Sequence, residues 1–205
     1  MNRRFLYLCG LIAPILFVFI AILGGAIRPG YNHMSNTVSE LFSPGAPNRL
    51  LLSTLYTLFA VLLVLFGIGV LKFVQGHAKS MRLGIAGASA YISMGVVSIA
   101  TATIFPQDAW GSEPTFFGEM HIILHGVISI LSILSILLIG IWSYRSGVFP
   151  NFRAYSFGTI VAVMLTAGMF AASYGSPIMG LFERLAALVG FQWTFALATL
   201  ISTRE

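Results

Sequence analysis

The chain has 205 residues, 58% hydrophobic and 8% charged, with a mean hydropathy of +0.92 and a net charge of +5. A soluble domain carries roughly 25% charged residues, so this composition excludes a water-covered globule and makes lipid the solvent for most of the surface. The basic residues lie scattered between apolar runs, which excludes a nucleic-acid interface, and the single cysteine, Cys9, excludes an intrachain disulfide or a Cys-based metal motif.

A helix needs about 20 apolar residues to cross the hydrocarbon core. Six runs meet that length, at about 5–27, 50–71, 83–105, 120–143, 155–174 and 184–202. They predict an all-α fold: one polytopic transmembrane domain over 1–205, a six-helix bundle with outer loops 28–49, 106–119 and 175–183. The first run follows Met1-Asn-Arg-Arg, as a signal peptide would. A signal peptide's apolar core is only about 7–15 residues long, and this run is longer, so it reads as a retained helix, kinked where Pro14 removes a backbone donor.

The loops set the direction. With a cytoplasmic N-terminus, the inner side holds Arg3, Arg4, Lys72, Lys79, Arg82, Arg145, Arg153 and Arg204, and the outer side only Arg28, Arg49 and Arg184. That is the positive-inside pattern, and it predicts cytoplasmic termini in a multi-pass protein of the cell (inner) membrane. The acids divide the other way: Glu40, Asp108, Glu113, Glu119 and Glu183 fall outside and Glu205 inside.

Three of the four histidines, His33, His121 and His125, join those acids, while His77 sits in an inner loop beside Lys79 and Arg82. In the first outer loop, Thr37-Val-Ser-Glu40 fits a capping box. Glu40 is therefore either a cap or a functional acid, and Pro44 and Gly45 end the short helix. At the end of the third span Pro106 breaks the helix and leaves Asp108 near the interface, as a turn residue or a functional one. Trp110, Phe116 and Phe117 predict a loop folded back on the bilayer surface.

His121 and His125 share one helix face, about 6 Å apart along the axis. That spacing suits two ligands of one zinc ion, a proton relay, or two imidazoles bonded to neighbouring carbonyls. Ionisable groups inside spans are functional hypotheses by default. At the start of the sixth span, Glu183 is favoured by the helix dipole. Arg184 has three uses open to it: snorkelling to lipid phosphate, pairing with an outer acid, or holding an anionic substrate group. Trp193 lies half-way down the span, where its indole N–H needs an internal acceptor. Gly84 and Ala88 offer small residues for close helix packing.

The ordered series Gly10, Pro14, Pro29-Gly30-Tyr31, Ser39-Glu40-Leu41, Phe105-Pro106-Gln107-Asp108, His121, Gly180-Leu-Phe-Glu-Arg184 and Trp193 resembles the domain of unknown function 998 family of small prokaryotic membrane proteins. The resemblance covers nearly the whole chain and implies a polytopic helical bundle. A more distant similarity, of residue type only, is to the alkaline ceramidase and adiponectin-receptor superfamily of membrane hydrolases. It implies parts for Ser39, Asp108, His121 and His125, although the third histidine has no counterpart here and there are six spans instead of seven.

Glu40, Asp108, His121 and Arg184 are accordingly expected to line one pocket open to the outer face. The expected function is a membrane-embedded hydrolase or acid–base enzyme acting on a lipid or other amphiphile. Its catalytic candidates are Asp108, His121, Glu40 and Ser39, and its substrate-binding candidates Tyr31, Arg184, Glu183 and Trp193. In a metal form, His121 and His125 hold zinc with Glu40, Asp108 or His33 as third ligand; in a metal-free form, Asp108 and His121 act as an acid–base pair. The alternatives are an amphiphile- or ion-binding or transport protein, and a membrane accessory subunit. For transport, almost no ionisable residue lies in the inner half of a span.

Overall fold

A computed structural model describes residues 2–204; Met1 and Glu205, the one acid assigned to the inner side, lie outside the described residues. Six α-helices follow one another: α1 Arg3–Ile27, α2 Arg49–Gln75, α3 Met81–Thr103, α4 Phe116–Ser146, α5 Phe152–Ala172 and α6 Met179–Ser202. A short 3-10 helix, Ser39–Phe42, lies in the first loop, and there is no strand among the described residues. All six α-helices are long and apolar enough to cross a membrane. Each packs on its neighbours in the chain, and α6 closes back on α1, so the bundle is a ring.

Because the helices alternate in direction, the loops 28–48, 104–115 and 173–178 gather at one end, called here the first face. The opposite face carries the loops 76–80 and 147–151 together with Asn2 and residues 203–204. Local chemistry sets where the helices begin and end. The Asn2 side chain accepts from the Arg4 N–H and caps α1. Thr115 caps α4 by accepting from Gly118, which starts that helix four residues before the expected 120. Gly147, at φ 78°, takes the left-handed conformation that stops it. α6 begins at Met179, so Glu183 and Arg184 lie inside the helix and not at its edge.

Aromatic rings fill the centre. Phe17 of α1 packs on Phe59 of α2 and Phe191 of α6, with centroids 5.5 and 4.7 Å away. Tyr91 of α3 bonds Thr194 of α6 across the ring at 2.9 Å. The acceptor that Trp193 requires is Ser156 Oγ on α5, at 2.9 Å. Packing is uneven around the ring. Half the residues in the most apolar stretch of α1 and of α2 are buried, against 17% in α4 and α5, so the rest of the chain leaves most of those two helices uncovered.

Candidate functional site

Two groups of polar side chains form at the first face. The first is a clamp that joins the 28–48 loop to α6. Thr37 and Glu40 make the reciprocal bonds of a capping box: Glu40 N–H donates to Thr37 Oγ1 at 3.2 Å, and Glu40 Oε1 accepts from Thr37 N–H at 2.8 Å. The other oxygen of Glu40 accepts from Asn36 Nδ2 at 2.8 Å. Glu183 reaches over from α6 and accepts from the Val38 N–H, the Ser39 N–H and the Ser39 hydroxyl. A carboxylate 145 residues away thus satisfies donors of the short helix's first turn.

Arg184 completes the clamp. Its Nη1 donates to the carbonyls of His33, Asn36 and Gly180 at 2.7, 2.9 and 2.7 Å, and its Nη2 to the Tyr31 hydroxyl. Tyr31 in turn donates to the Thr37 carbonyl at 2.7 Å. Burial pushes the Tyr31 phenol up to about 12, although Arg184 opposes the shift, so the hydroxyl stays a donor. Burial, followed by the nearby Arg184 charge, lowers the His33 imidazole. None of the three uses expected for Arg184 accounts for these bonds: carbonyls and a phenol of the chain itself take nearly all of the guanidinium. Only Nε lacks an acceptor among the described residues.

The second group lies at the α3–α4 connection. Asp108 accepts from the Thr115 hydroxyl at 2.7 Å and the Thr115 N–H at 2.8 Å. Those two bonds hold its carboxyl below the ordinary carboxylate value, with a small contribution from His121. The carboxylate rests on Gly118, where a Cβ would collide with it. Gly118, His121 and His125 follow at helical spacing on one face of α4. Asp108 therefore stands at the head of a column, with His121 and then His125 descending into the span.

His121 is 7% exposed, and its Nδ1 lies 2.8 Å from the Phe105 carbonyl oxygen. A carbonyl can only accept, so Nδ1 carries the proton. In the neutral ring that leaves Nε2 with its lone pair. The His125 ring stacks against it, tilted by 41° with centroids 4.4 Å apart.

The structure thus divides the expected site. Tyr31, Ser39, Glu40, Glu183 and Arg184 meet in the clamp, and Asp108, His121 and His125 in the column. No hydrogen bond joins the two groups among the described residues. Ser39 accordingly stands apart from the other three residues that the ceramidase-type similarity implies. Trp193 lies in neither group: it is 1% exposed and packed on Phe152 in the core.

For zinc, no cluster of three or more His, Cys, Asp or Glu side chains exists among the described residues. Asp108 is engaged by Thr115, and His33 packs against Tyr31 in the other group. The column presents two imidazoles, His121 and His125, below the Asp108 carboxylate that Thr115 holds.

Two cavities lie away from both groups. One of about 450 Å³, lined by Arg49, Ser53, Thr57 and Thr103, lies between α2 and α3 toward the first face; one of about 370 Å³ lies at the opposite face. Sequence reasoning passed over three members of the column: the Phe105 carbonyl, Thr115 and Gly118. Thr115 directly before an apolar run is a legible cap, and the clearance at Gly118 needs coordinates.

A ring of six helices long and apolar enough to cross a membrane, with the buried ionisable side chains Glu40 and His121 at one face, defines a multi-pass helical membrane protein. Residues 11–200 match the model of the family described as protein of unknown function (DUF998), and the chain belongs to that family. No curated protein and no solved structure matches it.

Proposed function

We propose that this protein is a membrane-embedded acid–base catalyst acting on the head of a lipid or other amphiphile at the first face. His121 Nε2 is the proton acceptor, His125 the second imidazole, and Asp108 the carboxylate that positions the column. The observation that carries this reading is the Nδ1 contact with the Phe105 carbonyl, which fixes the tautomer and leaves a basic nitrogen in a buried setting. The clamp serves as a rigid support for that face. Proton removal is the step this geometry supports, and hydrolysis is one reaction it would serve. In this reading both termini are cytoplasmic and the first face is the outer side of the cell (inner) membrane, on the strength of the Lys/Arg division.

A binding protein without chemistry is the second reading. It is favoured by the position of Ser39, whose hydroxyl is held by Glu183 away from both histidines.

His121→Asn separates them. Asn keeps an N–H donor near the position of Nδ1 and removes the basic Nε2, so the contact with Phe105 survives while the base is lost. Purified protein is incubated with a total polar lipid extract of its host membranes and the mixture resolved by mass spectrometry. Wild type is expected to convert a component that H121N leaves untouched. Conversion by H121N would overturn the catalytic role, and retention of a lipid without conversion would establish the binding reading. Stoichiometric zinc in the purified protein would replace the metal-free mechanism.

A further inference from the structure

At the opposite face, the cavity of about 370 Å³ opens between the α4–α5 turn and the ends of α5 and α6. Val148, Phe149, Phe152 and Leu200 make it apolar, and Tyr155 and Arg204 give it polar groups. Arg204 is held there by two contacts. Its Nη2 donates to the Val148 carbonyl at 3.2 Å, and its guanidinium stands 5.4 Å from the Phe149 ring centre. A guanidinium has five N–H donors, and among the described residues no carboxylate takes up the others.

Among the described residues, the charge at this end has one sign. Arg3, Arg4, Lys72, Lys79, Arg82, Arg145, Arg153 and Arg204 are all at this end of the bundle. Every described carboxylate, from Glu40 to Glu183, is at the other end. Arg153 lies beside the cavity, stacked on Tyr144 with its guanidinium 3.7 Å from the ring centre.

We propose that this cavity binds an anionic phospholipid of the adjoining leaflet. Arg204 meets the phosphate, while the glycerol and first acyl carbons lie on Phe149 and Phe152. The volume falls in the range of small-molecule sites, roughly 300–1,000 Å³. Basic pockets between helices at a membrane surface suit anionic headgroups. A free inorganic anion would gain nothing from the aromatic walls. A zwitterionic lipid would bring its own cation into a field of cations. The site is independent of the acid–base column, which lies at the other end of the helices.

The test measures thermal unfolding of the full chain in a neutral detergent, with added phosphatidylglycerol, phosphatidylcholine or inorganic phosphate. A ligand that binds only the folded state raises the melting temperature. Phosphatidylglycerol is expected to do so saturably, and the other two are not. Arg204→Gln should weaken the effect about fivefold, the usual share of one cation near anionic lipid. Arg82→Gln, the same charge change outside the cavity, should leave it unaltered. Leu200→Trp, which fills the cavity and keeps every charge, should also weaken it, and lipid-free melting checks that each variant is folded. Equal shifts with phosphatidylcholine or with inorganic phosphate would overturn the proposal. So would equal losses in R204Q and R82Q, which would mean diffuse attraction to the whole face.

Discussion

Asp108 spends both carboxylate oxygens on Thr115, the residue that caps α4, and this gives the loop a predictable response to acid. Its carboxyl is held below the ordinary value of 3.8. The stabilisation is therefore present above that value and disappears as pH falls through the lowered folded-state value. Asp108→Asn should lack this acid-dependent component, so the gap in melting temperature between wild type and D108N should narrow as pH drops below 3.8; a gap constant with pH would refute the assignment. A second residue-scale case is Ser135, which is 1% exposed and has no partner for its hydroxyl among the described residues. An unpaired buried polar group is costly, so Ser135→Ala should stabilise the bundle by about 1 kcal/mol. A loss of stability instead would reveal a water bonded to that hydroxyl. At this scale the sequence was informative where chemistry is local. The Thr37–Glu40 box and the need of Trp193 for an acceptor were both readable. The partners of Glu183 and Arg184 were not, because they lie about 145 residues away and no pattern within a segment encodes them.

The helices themselves were legible because lipid imposes one simple demand, a long apolar run, and six such runs stand clear of their loops. Their ends were less so. α4 and α6 start four or five residues before their apolar runs, because Thr115 recruits the preceding turn of α4 and the Met34 carbonyl accepts from Leu181 in the first turn of α6. Close packing of α3 on α4 depends on glycine. A Cβ on Gly87 would lie 2.9 Å from Ile139 Cγ1 and 3.1 Å from the backbone nitrogen of Ile139, which cannot swing aside as a side chain can. Gly87→Val should therefore destabilise the protein by roughly 1–3 kcal/mol in a detergent unfolding assay. Gly126 on α4 has nothing within 4 Å of its Cβ position, so Gly126→Ala should be tolerated. Equal effects of the two substitutions would show that the contact between α3 and α4 is looser than described.

At the scale of the whole molecule, charge and fold make one joint prediction. The fold puts Lys79 and Arg145 at the same face and Gly45 and Gly111 at the other. Reporter fusions after Lys79 and after Arg145 should behave as cytoplasmic, and fusions after Gly45 and after Gly111 as external. An external reporter at Lys79 would invert the assignment and move the histidine column to the cytoplasmic side. Composition announced the membrane, and the six apolar runs the helix number. The division of the polar residues into clamp and column could not be read, because it depends on which helices adjoin around the ring. Val38 and Asp108 lie at the same face, but Val38 is bonded from α6 by Glu183 and Asp108 is bonded by the cap of α4, Thr115.

The clamp also fixes when the protein is finished. Val38 and Glu183 are separated by 145 residues, and ribosomes add about 5–20 residues per second. The first loop therefore emerges on the order of ten seconds before the carboxylate that anchors it has been synthesised. During that interval the amides of Val38 and Ser39 and the carbonyls of His33 and Asn36 await α6. A nascent chain halted before residue 179 has neither Glu183 nor Arg184, so those amides and carbonyls lack the partners that the completed chain gives them.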